Sequence, residues 1–272
     1  MAFGLIIIGD EILSGKREDK HFPKVLELLT ARGLQLVWAE YLGDDPARIT
    51  AALRRTLAAG DIVFSCGGIG ATPDDHTRQC VAAALGVPLI LHPDAMLKIR
   101  ERMQDIARES GKPVDVETPD NLHRLKMGEF PEGAALIENP YNKIPGFSVT
   151  GSGGGTHYFV PGFPVMAWPM IESVLDRYYA HLFHTTAWFE ESVLVYEVAE
   201  STLTPVMEKI EAQFPGAKVF SLPSVGDAVT RRHIELGVKG EPAQAKPGFD
   251  SMLAALDQMG AEHAPYGKSV GR

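Results

Sequence analysis

The amino-acid sequence predicts an α/β fold: a three-layer α/β/α sandwich around a mostly parallel sheet, followed by a small α+β domain. Strand-length runs at Phe3–Ile8, Leu34–Leu42 and Asp61–Ser65 alternate with helical periods at Lys20–Ala31, Ala47–Ala58 and Asp74–Leu85. That alternation is the mark of consecutive β-α units. Phe3–Ile8 is apolar throughout, as expected of a strand buried on both faces. The composition then shifts at Ala180–Thr186, a short polar join that separates residues 1–182 from 183–272.

The elements follow in order. Phe22, Val25, Leu26, Leu28 and Leu29 line the inner side of the first helix, and Gly33 stops it. Gly86 ends the third helix, and Asp94–Ser110 reads as a longer charged surface helix. The segment to about Gly133 reads as loop. Short strands at Ala135–Ile137, Phe147–Thr150 and His157–Val160 predict an antiparallel extension with a hairpin tip at Ser152–Gly155, and Pro164–Tyr179 predicts a helix. Beyond the join the expected order is strand (Glu191–Ala199), helix (Pro205–Phe214), two strands (Lys218–Ser221 and Arg231–Val238) and helix (Phe249–Gln258). The tail Glu262–Arg272 has no periodicity and is expected to be mobile.

A chain of 272 residues buries about three quarters of its unfolded surface, so disulfide or zinc staples are not needed. With 45% hydrophobic and 22% charged residues, disorder, collagen and coiled coil are excluded. The net charge of −9 argues against a nucleic-acid surface, and the two cysteines, Cys66 and Cys80, suit a reducing cytoplasm. The N-terminus lacks a basic region before its apolar run and is not read as a signal peptide. Ile144–Ile171 is long enough to span a bilayer, but Pro145, Pro161, Pro164, Pro169 and six glycines argue against a membrane helix. A cytoplasmic protein is expected, without membrane or nucleic-acid partners.

In an open α/β sheet, ligands bind beyond the carboxyl ends of the parallel strands. The first strand is followed by Gly9-Asp10-Glu11, the second by Gly43-Asp44-Asp45, and the third by Gly67-Gly68-Ile69-Gly70-Ala71-Thr72-Pro73-Asp74-Asp75. Parallel strands would bring all three acidic pairs to one rim. Capping competes with function here: Asp45-Pro46 makes a good N-cap, and Thr72-Pro73-x-Asp75 resembles a capping box. Three pairs at one edge exceed what caps require, since like charges repel there. The glycine loop running from a strand into a helix is an anion cradle. It is neither a P-loop nor a dinucleotide fingerprint, for no Gly-Lys-Ser/Thr follows and Pro73 stands at the third glycine position. Phosphate beside carboxylates implies a divalent cation (Mg²⁺, Mn²⁺ or Co²⁺) between them.

Four motifs carry a family resemblance over about residues 4–175: Gly9-Asp10-Glu11-Ile12-Leu13-Ser14-Gly15, Gly43-Asp44-Asp45, Gly67 to Thr77, and Pro161-Gly162-Phe163-Pro164 with Met170. The chain resembles the molybdenum-cofactor-biosynthesis (molybdopterin-binding) domain family, in its competence/damage-inducible CinA N-terminal branch. The resemblance implies a pocket for a pterin or a nucleotide diphosphate, with molybdopterin among the ligands. Asp44 and Asp75 match the essential aspartates of the adenylyltransferase branch, and would hold the metal or activate water, with Asp10 and Asp74 in support. Substrate contacts are implied for Gly9, Asp10, Glu11, Ser14, Gly15, Lys20, Gly67, Gly68, Ile69, Gly70, Ala71, Thr72, Asp74, Thr77, Asn139, Pro161 and Gly162. Three functions stay open: metal-dependent hydrolysis of a nucleotide diphosphate such as ADP-ribose or FAD, adenylyl transfer onto molybdopterin, and non-catalytic pterin or nucleotide sensing. A homo-oligomer, dimer or trimer, is expected.

The chain departs from the family at Ala71, where the loop usually has proline, and near His21, where CinA-type relatives usually carry asparagine. The latter bears on substrate identity. The amidase domain that full-length CinA proteins carry, which acts on nicotinamide mononucleotide, is not expected in these residues. Residues 187–260 resemble CinA's middle module, similar in outline to a KH domain but without its Gly-x-x-Gly clamp. His181 and His184 have metal-pair spacing without a third ligand nearby. Cys66 reads as packing rather than nucleophile. Asn139 reads equally as a substrate contact or a turn-former, and Trp168 and Trp188 as core or interface.

Overall fold

A computed structural model describes residues 2–111, 118–185, 187–227 and 229–266. The chain divides into two compact units, Met1–Phe183 and His184–Arg272. The first begins with β1 (Phe3–Ile8), α1 (Asp10–Leu13), α2 (His21–Thr30), β2 (Leu36–Leu42), α3 (Pro46–Ala58), β3 (Ile62–Cys66) and α4 (Thr77–Leu85). It continues with β4 (Leu89–Leu91), α5 (Pro93–Ser110), α6 (Pro119–Leu125) and β5 (Glu129–Pro131). Then come β6 (Ala135–Ile137), β7 (Gly146–Thr150), β8 (Thr156–Val160) and α7 (Pro164–Tyr178).

The central sheet has the order β2-β1-β3-β8-β7-β6. Side chains alternate across a strand, so β1 feeds two cores. Leu5 and Ile7 pack with Val25 and Leu29 of α2 and with Met170 and Ile171 of α7. Ile6 and Ile8 face Ile49 and Leu53 of α3 and Val81 of α4. All six β1 residues are buried, each large one contributing roughly 1.5–3 kcal/mol. This is the expected three-layer sandwich.

Three details differ from the sequence reading. β8 runs parallel to β3, with Cys66 opposite Val160, and β7 alone is reversed in this sheet, antiparallel to both β8 and β6. The local hairpin signal marks β7 as the partner of β8 but not the distant β3. The segment read as loop contains α6, opened by a Thr118 cap and Pro119, and β5, which pairs antiparallel with β4; residues 112–117 lie outside the described residues. A three-residue strand leaves no periodicity to read. Finally, α4 starts at Thr77 rather than Asp74, because Asp75 closes a separate turn with Thr72.

The second unit comprises β9 (Phe189–Tyr196), α8 (Glu200–Gln213), β10 (Lys218–Ser224), β11 (His233–Gly240), α9 (Pro242–Met259) and β12 (His263–Tyr266). Its sheet order is β10-β11-β9-β12, every neighbour antiparallel. That is a β-α-β-β-α-β plait of the ferredoxin-like kind. The difference from the expected order lies in the tail: His263–Tyr266 adds to the β9 edge, with His263 opposite Val195 and Tyr266 opposite Ser192. Residues 267–272 lie outside the described residues. α8 begins at Glu200 and carries Pro205 within its first turns, instead of starting there. Among the described residues no helix is long and apolar enough to cross a membrane.

One buried group links the first unit to pH. His157 on β8 is fully buried, its Nε2 lies 2.9 Å from Thr56 Oγ1, and its Nδ1 has no partner among the described residues. Burial pushes the imidazole down to about 4, against a weaker pull from Asp61. The unfolded chain, with an ordinary histidine, takes up its proton first as pH falls below about 6.5. Stability attached to the neutral ring is therefore present above pH 6.5 and lost between there and about 4, by roughly 3 kcal/mol. Urea unfolding at the two pH values should show this loss, and His157→Gln should abolish that share of the pH slope. An unchanged slope in the variant would show that the ring is not buried neutral.

Candidate functional site

The carboxyl ends of β1, β2 and β3 meet at one rim. Gly9 N–H donates to the Leu42 carbonyl at 3.0 Å, tying the loop after β1 to the end of β2. Across that junction Asp10 N–H donates to Asp44 Oδ2 at 2.9 Å, and Asp44 N–H donates to Asp10 Oδ1 at 3.2 Å. Each carboxylate is thus held by the other residue's main chain. The approach needs glycine at position 43, where a Cβ would stand 2.4 Å from Asp10 Oδ1. Burial raises the Asp44 carboxyl above its ordinary value; the Asp10 N–H opposes this, and the charges of Asp10, Glu11 and Asp74 add to it. All three acidic pairs therefore contribute to one field. Asp45, by contrast, accepts from Arg48 N–H at 2.8 Å and caps α3, an interaction worth about 1 kcal/mol.

The glycine loop leaves β3 with Gly67 N–H donating to the Val160 carbonyl. Gly68 has φ 68°, and a Cβ there would lie 2.2 Å from Thr77 Oγ1. Thr77 is fully buried and braces the loop from beneath, its N–H on the Gly68 carbonyl and its hydroxyl on the Gly67 carbonyl. Ile69 anchors the loop in the core. Among the described residues, the backbone N–H groups of Gly68, Ile69, Gly70 and Ala71 have no acceptor. Four consecutive unbonded donors are what an anion cradle requires. Next to them, Asp75 Oδ2 accepts from Thr72 N–H at 2.8 Å and from the Thr72 hydroxyl at 2.6 Å. The capping-box bond thus exists, but it closes a free-standing turn and not the start of α4.

Beside the rim lies a cavity of about 420 Å³, lined by Ile7, Ile8 and Cys66 from the sheet, by Ile12 of α1, by Gly162 and by Pro164 at the start of α7. Charged walls come from Glu11, Arg17, Glu18 and Lys20, with His21 completing it. Neither Arg17 nor Lys20 has an ion-pair partner among the described residues. His21 is 5% exposed; its Nε2–H donates to the Gly162 carbonyl at 3.0 Å, and its Nδ1 is buried without a partner among the described residues. Asp19 holds this strand-to-helix passage by accepting from the His21 and Phe22 N–H groups and from the Tyr41 hydroxyl. Burial pushes that Tyr41 hydroxyl up to about 12, with Asp19 adding to the shift.

Of the residues expected at the site, Glu11, Lys20 and Gly162 line the cavity, and Gly9, Asp10, Asp44, Asp74, Asp75 and Gly67 to Thr72 form the rim. Ser14 bonds the Glu11 carbonyl at the surface, and Gly15 only turns the chain. Pro161 leads into Gly162, whose position abuts Gly67. Asn139 is fully engaged in its own turn, donating to Asn142 and to the Ile144 carbonyl and accepting from Tyr141 N–H. The cavity residues Arg17 and His21 carried no sequence signal as ligand contacts beyond the departure at His21. Burial pushes the Cys66 thiol well up, as a packing role requires, and Trp168 packs against the core while Trp188 is partly exposed. Among the described residues no three His, Cys, Asp or Glu side chains gather as a ready-made metal site, His181 and His184 included. The second unit has a groove of about 460 Å³ along α8, where two of its three carboxylates are engaged, Glu200 by the Ser221 hydroxyl and Glu211 by Val219 N–H.

Comparison with known proteins agrees with the motifs. Residues 4–181 match the family model described as a probable molybdopterin binding domain. A CinA-like protein of Anaeromyxobacter dehalogenans (strain 2CP-1) is 32% identical over 99% of this chain and 68% of its own length. One from Mycobacterium sp. (strain JLS) is 30% identical over 93% of this chain and 59% of its own length. The chain thus spans about three fifths to two thirds of these relatives. Among solved structures, the CinA protein of unknown function from Thermoplasma acidophilum superposes with a TM-score of 0.55 at 28% identity, covering 65% of this chain and 98% of that one. With the matched domain spanning the whole sandwich, this chain belongs to the molybdopterin-binding-domain family and, within it, to the CinA-like proteins.

Proposed function

We propose that the chain binds a nucleotide diphosphate of the ADP-ribose or FAD type on the glycine loop and hydrolyses its pyrophosphate with the help of a divalent cation. One observation carries this reading: four backbone N–H groups, Gly68 to Ala71, unbonded among the described residues, stand beside a rim of carboxylates in which burial, with the charges of Asp10, Glu11 and Asp74 adding to it, raises the Asp44 carboxyl. The donors suit phosphate oxygens, and the carboxylates suit what must neutralise them. The residues fit a cation shared with the ligand rather than a resident one, since magnesium-type sites take one or two carboxylates and complete their shell with phosphate and water. Asp44 and Asp75 would hold it, with Asp10 and Asp74 in support; when bound it offsets phosphate charge and favours water attack. The loop's donors would fix the phosphoryl group in line, and Lys20 and Arg17 in the cavity would face the ligand's anionic oxygens.

Adenylyl transfer onto molybdopterin is the second reading, favoured by the match to a molybdopterin-binding domain over the whole sandwich. A screen of ADP-ribose, FAD and related diphosphates with Mg²⁺, Mn²⁺ or Co²⁺, scored for AMP release, separates the two. AMP from a diphosphate supports the first; ATP consumption that requires molybdopterin supports the second; saturable binding without turnover under every metal refutes both.

Asp75→Asn keeps the acceptor for both Thr72 bonds but removes a negative charge. It is expected to lower turnover by about three orders of magnitude, roughly 4 kcal/mol of barrier, with the melting temperature little changed. Asp45→Asn, which can still cap α3, should keep near-normal turnover. Equal activities in the two variants would refute the assignment.

Cation binding can be read without turnover. Because Asp44 is raised by burial and by surrounding carboxylates, a bound cation should stabilise the folded chain. Millimolar Mg²⁺ or Mn²⁺ with a non-hydrolysed diphosphate should raise the melting temperature of the wild type and raise that of Asp44→Asn distinctly less. Identical shifts would place the cation elsewhere.

A further inference from the structure

Two cationic or donor side chains outside the rim hold the back of the glycine loop. Arg78 on α4 is 4% exposed; its Nη2 donates to the Gly70 carbonyl at 2.7 Å and its Nη1 to the Lys126 carbonyl at 2.5 Å. His123 on α6 donates from Nε2 to the Ala71 carbonyl at 2.7 Å. In a trans peptide, a residue's carbonyl and the next residue's N–H point in opposite directions. Holding the Gly70 carbonyl therefore turns Ala71 N–H away from the guanidinium, and holding the Ala71 carbonyl turns Thr72 N–H away from the imidazole. The second consequence is visible directly, because Thr72 N–H reaches Asp75 Oδ2 at 2.8 Å. The first leaves Ala71 N–H among the unbonded donors. Glycine-rich backbone has several accessible peptide orientations, and a flipped peptide would present a carbonyl where an anion must sit.

We infer that Arg78 and His123 are positioning residues, a clamp that selects the amide-forward orientation of the Gly70–Thr72 backbone and so sets the loop's affinity for a diphosphate. This rests on the reading of the loop as a phosphate cradle. His123 gives the cleaner test, because its side chain is exposed and its removal leaves the core intact. His123→Ala should move the Ala71 and Thr72 amide resonances in the ligand-free protein and weaken binding of inorganic pyrophosphate with Mg²⁺ about tenfold, while the melting temperature holds. His123→Gln, whose amide can still donate to the Ala71 carbonyl, should restore most of the affinity. Arg78→Lys, where one ammonium replaces a fork spanning two carbonyls, should weaken binding further. Unmoved amides with wild-type pyrophosphate affinity in both His123→Ala and Arg78→Lys would overturn the clamp and leave the cradle standing. A wild type that takes up no pyrophosphate overturns the cradle, and the clamp's role in affinity with it.

Discussion

Asp10 and Asp44 would repel one another at the ends of β1 and β2, yet each carboxylate accepts the other's backbone N–H, and the rest of the rim is arranged around that reciprocal pair. Hydrogen bonds from neutral amides to a carboxylate are among the stronger ones available without a counter-charge. They keep two anions adjacent while leaving oxygens unclaimed. The pair exists only because β1 and β2 are parallel neighbours, so that Gly9 and Gly43 leave the sheet side by side. Burial raises the Asp44 carboxyl, the Asp10 N–H of the pair opposes that rise, and the Asp10 charge adds to it.

A second constraint acts on the neighbouring loop. Four of its carbonyls are claimed from behind: Gly67 and Gly68 by Thr77, Gly70 by Arg78 and Ala71 by His123. Its amides from Gly68 to Ala71 have no acceptor among the described residues. The burial of Arg78 follows from the same arrangement. Desolvation lowers its proton affinity and the carboxylates of Asp75 and Glu129 offset this in part; a guanidinium is basic enough to stay charged where its two carbonyls need it. Carboxylates that repel an anion and amides that attract one thus share an edge of the sheet, the polarity expected where charge must be neutralised and oriented together.

Much of this was legible in the sequence, for reasons that mark where the rest was not. The sandwich could be read because β1 is apolar through six residues and because glycine-acid motifs end three successive strands. Those motifs are local, so their residues could be named as a rim before their contacts were known. The cavity is not local. His21 meets the Gly162 carbonyl across 141 residues, and Arg78 meets Lys126 across 48, distances over which side-chain type alone says nothing. The parallel partner of β8 and the short β12 were hidden for the same reason, since long-range pairing and four-residue strands leave no periodicity. Asn139, whose amide is engaged in its own turn, shows the opposite failure: a residue type suited to ligand contact that a local turn already satisfies.

The acidic doublets show why counting carboxylates is a poor guide to a site. In Asp44-Asp45 the second residue is a helix cap, and the first belongs to the rim. In Asp74-Asp75 the division runs within a single side chain. Both Thr72 donors go to Asp75 Oδ2, so that oxygen holds the turn while Oδ1 is left outside it. Asp74 lies close enough for its charge to reach Asp44, which makes it the member of the third pair that couples the glycine loop to the first two strands. A cap needs one acceptor oxygen and no net charge. A surplus of charge beyond that need, raised against its own repulsion and placed beside unbonded amides, is the physical difference between a run of helix caps and a site prepared for a ligand.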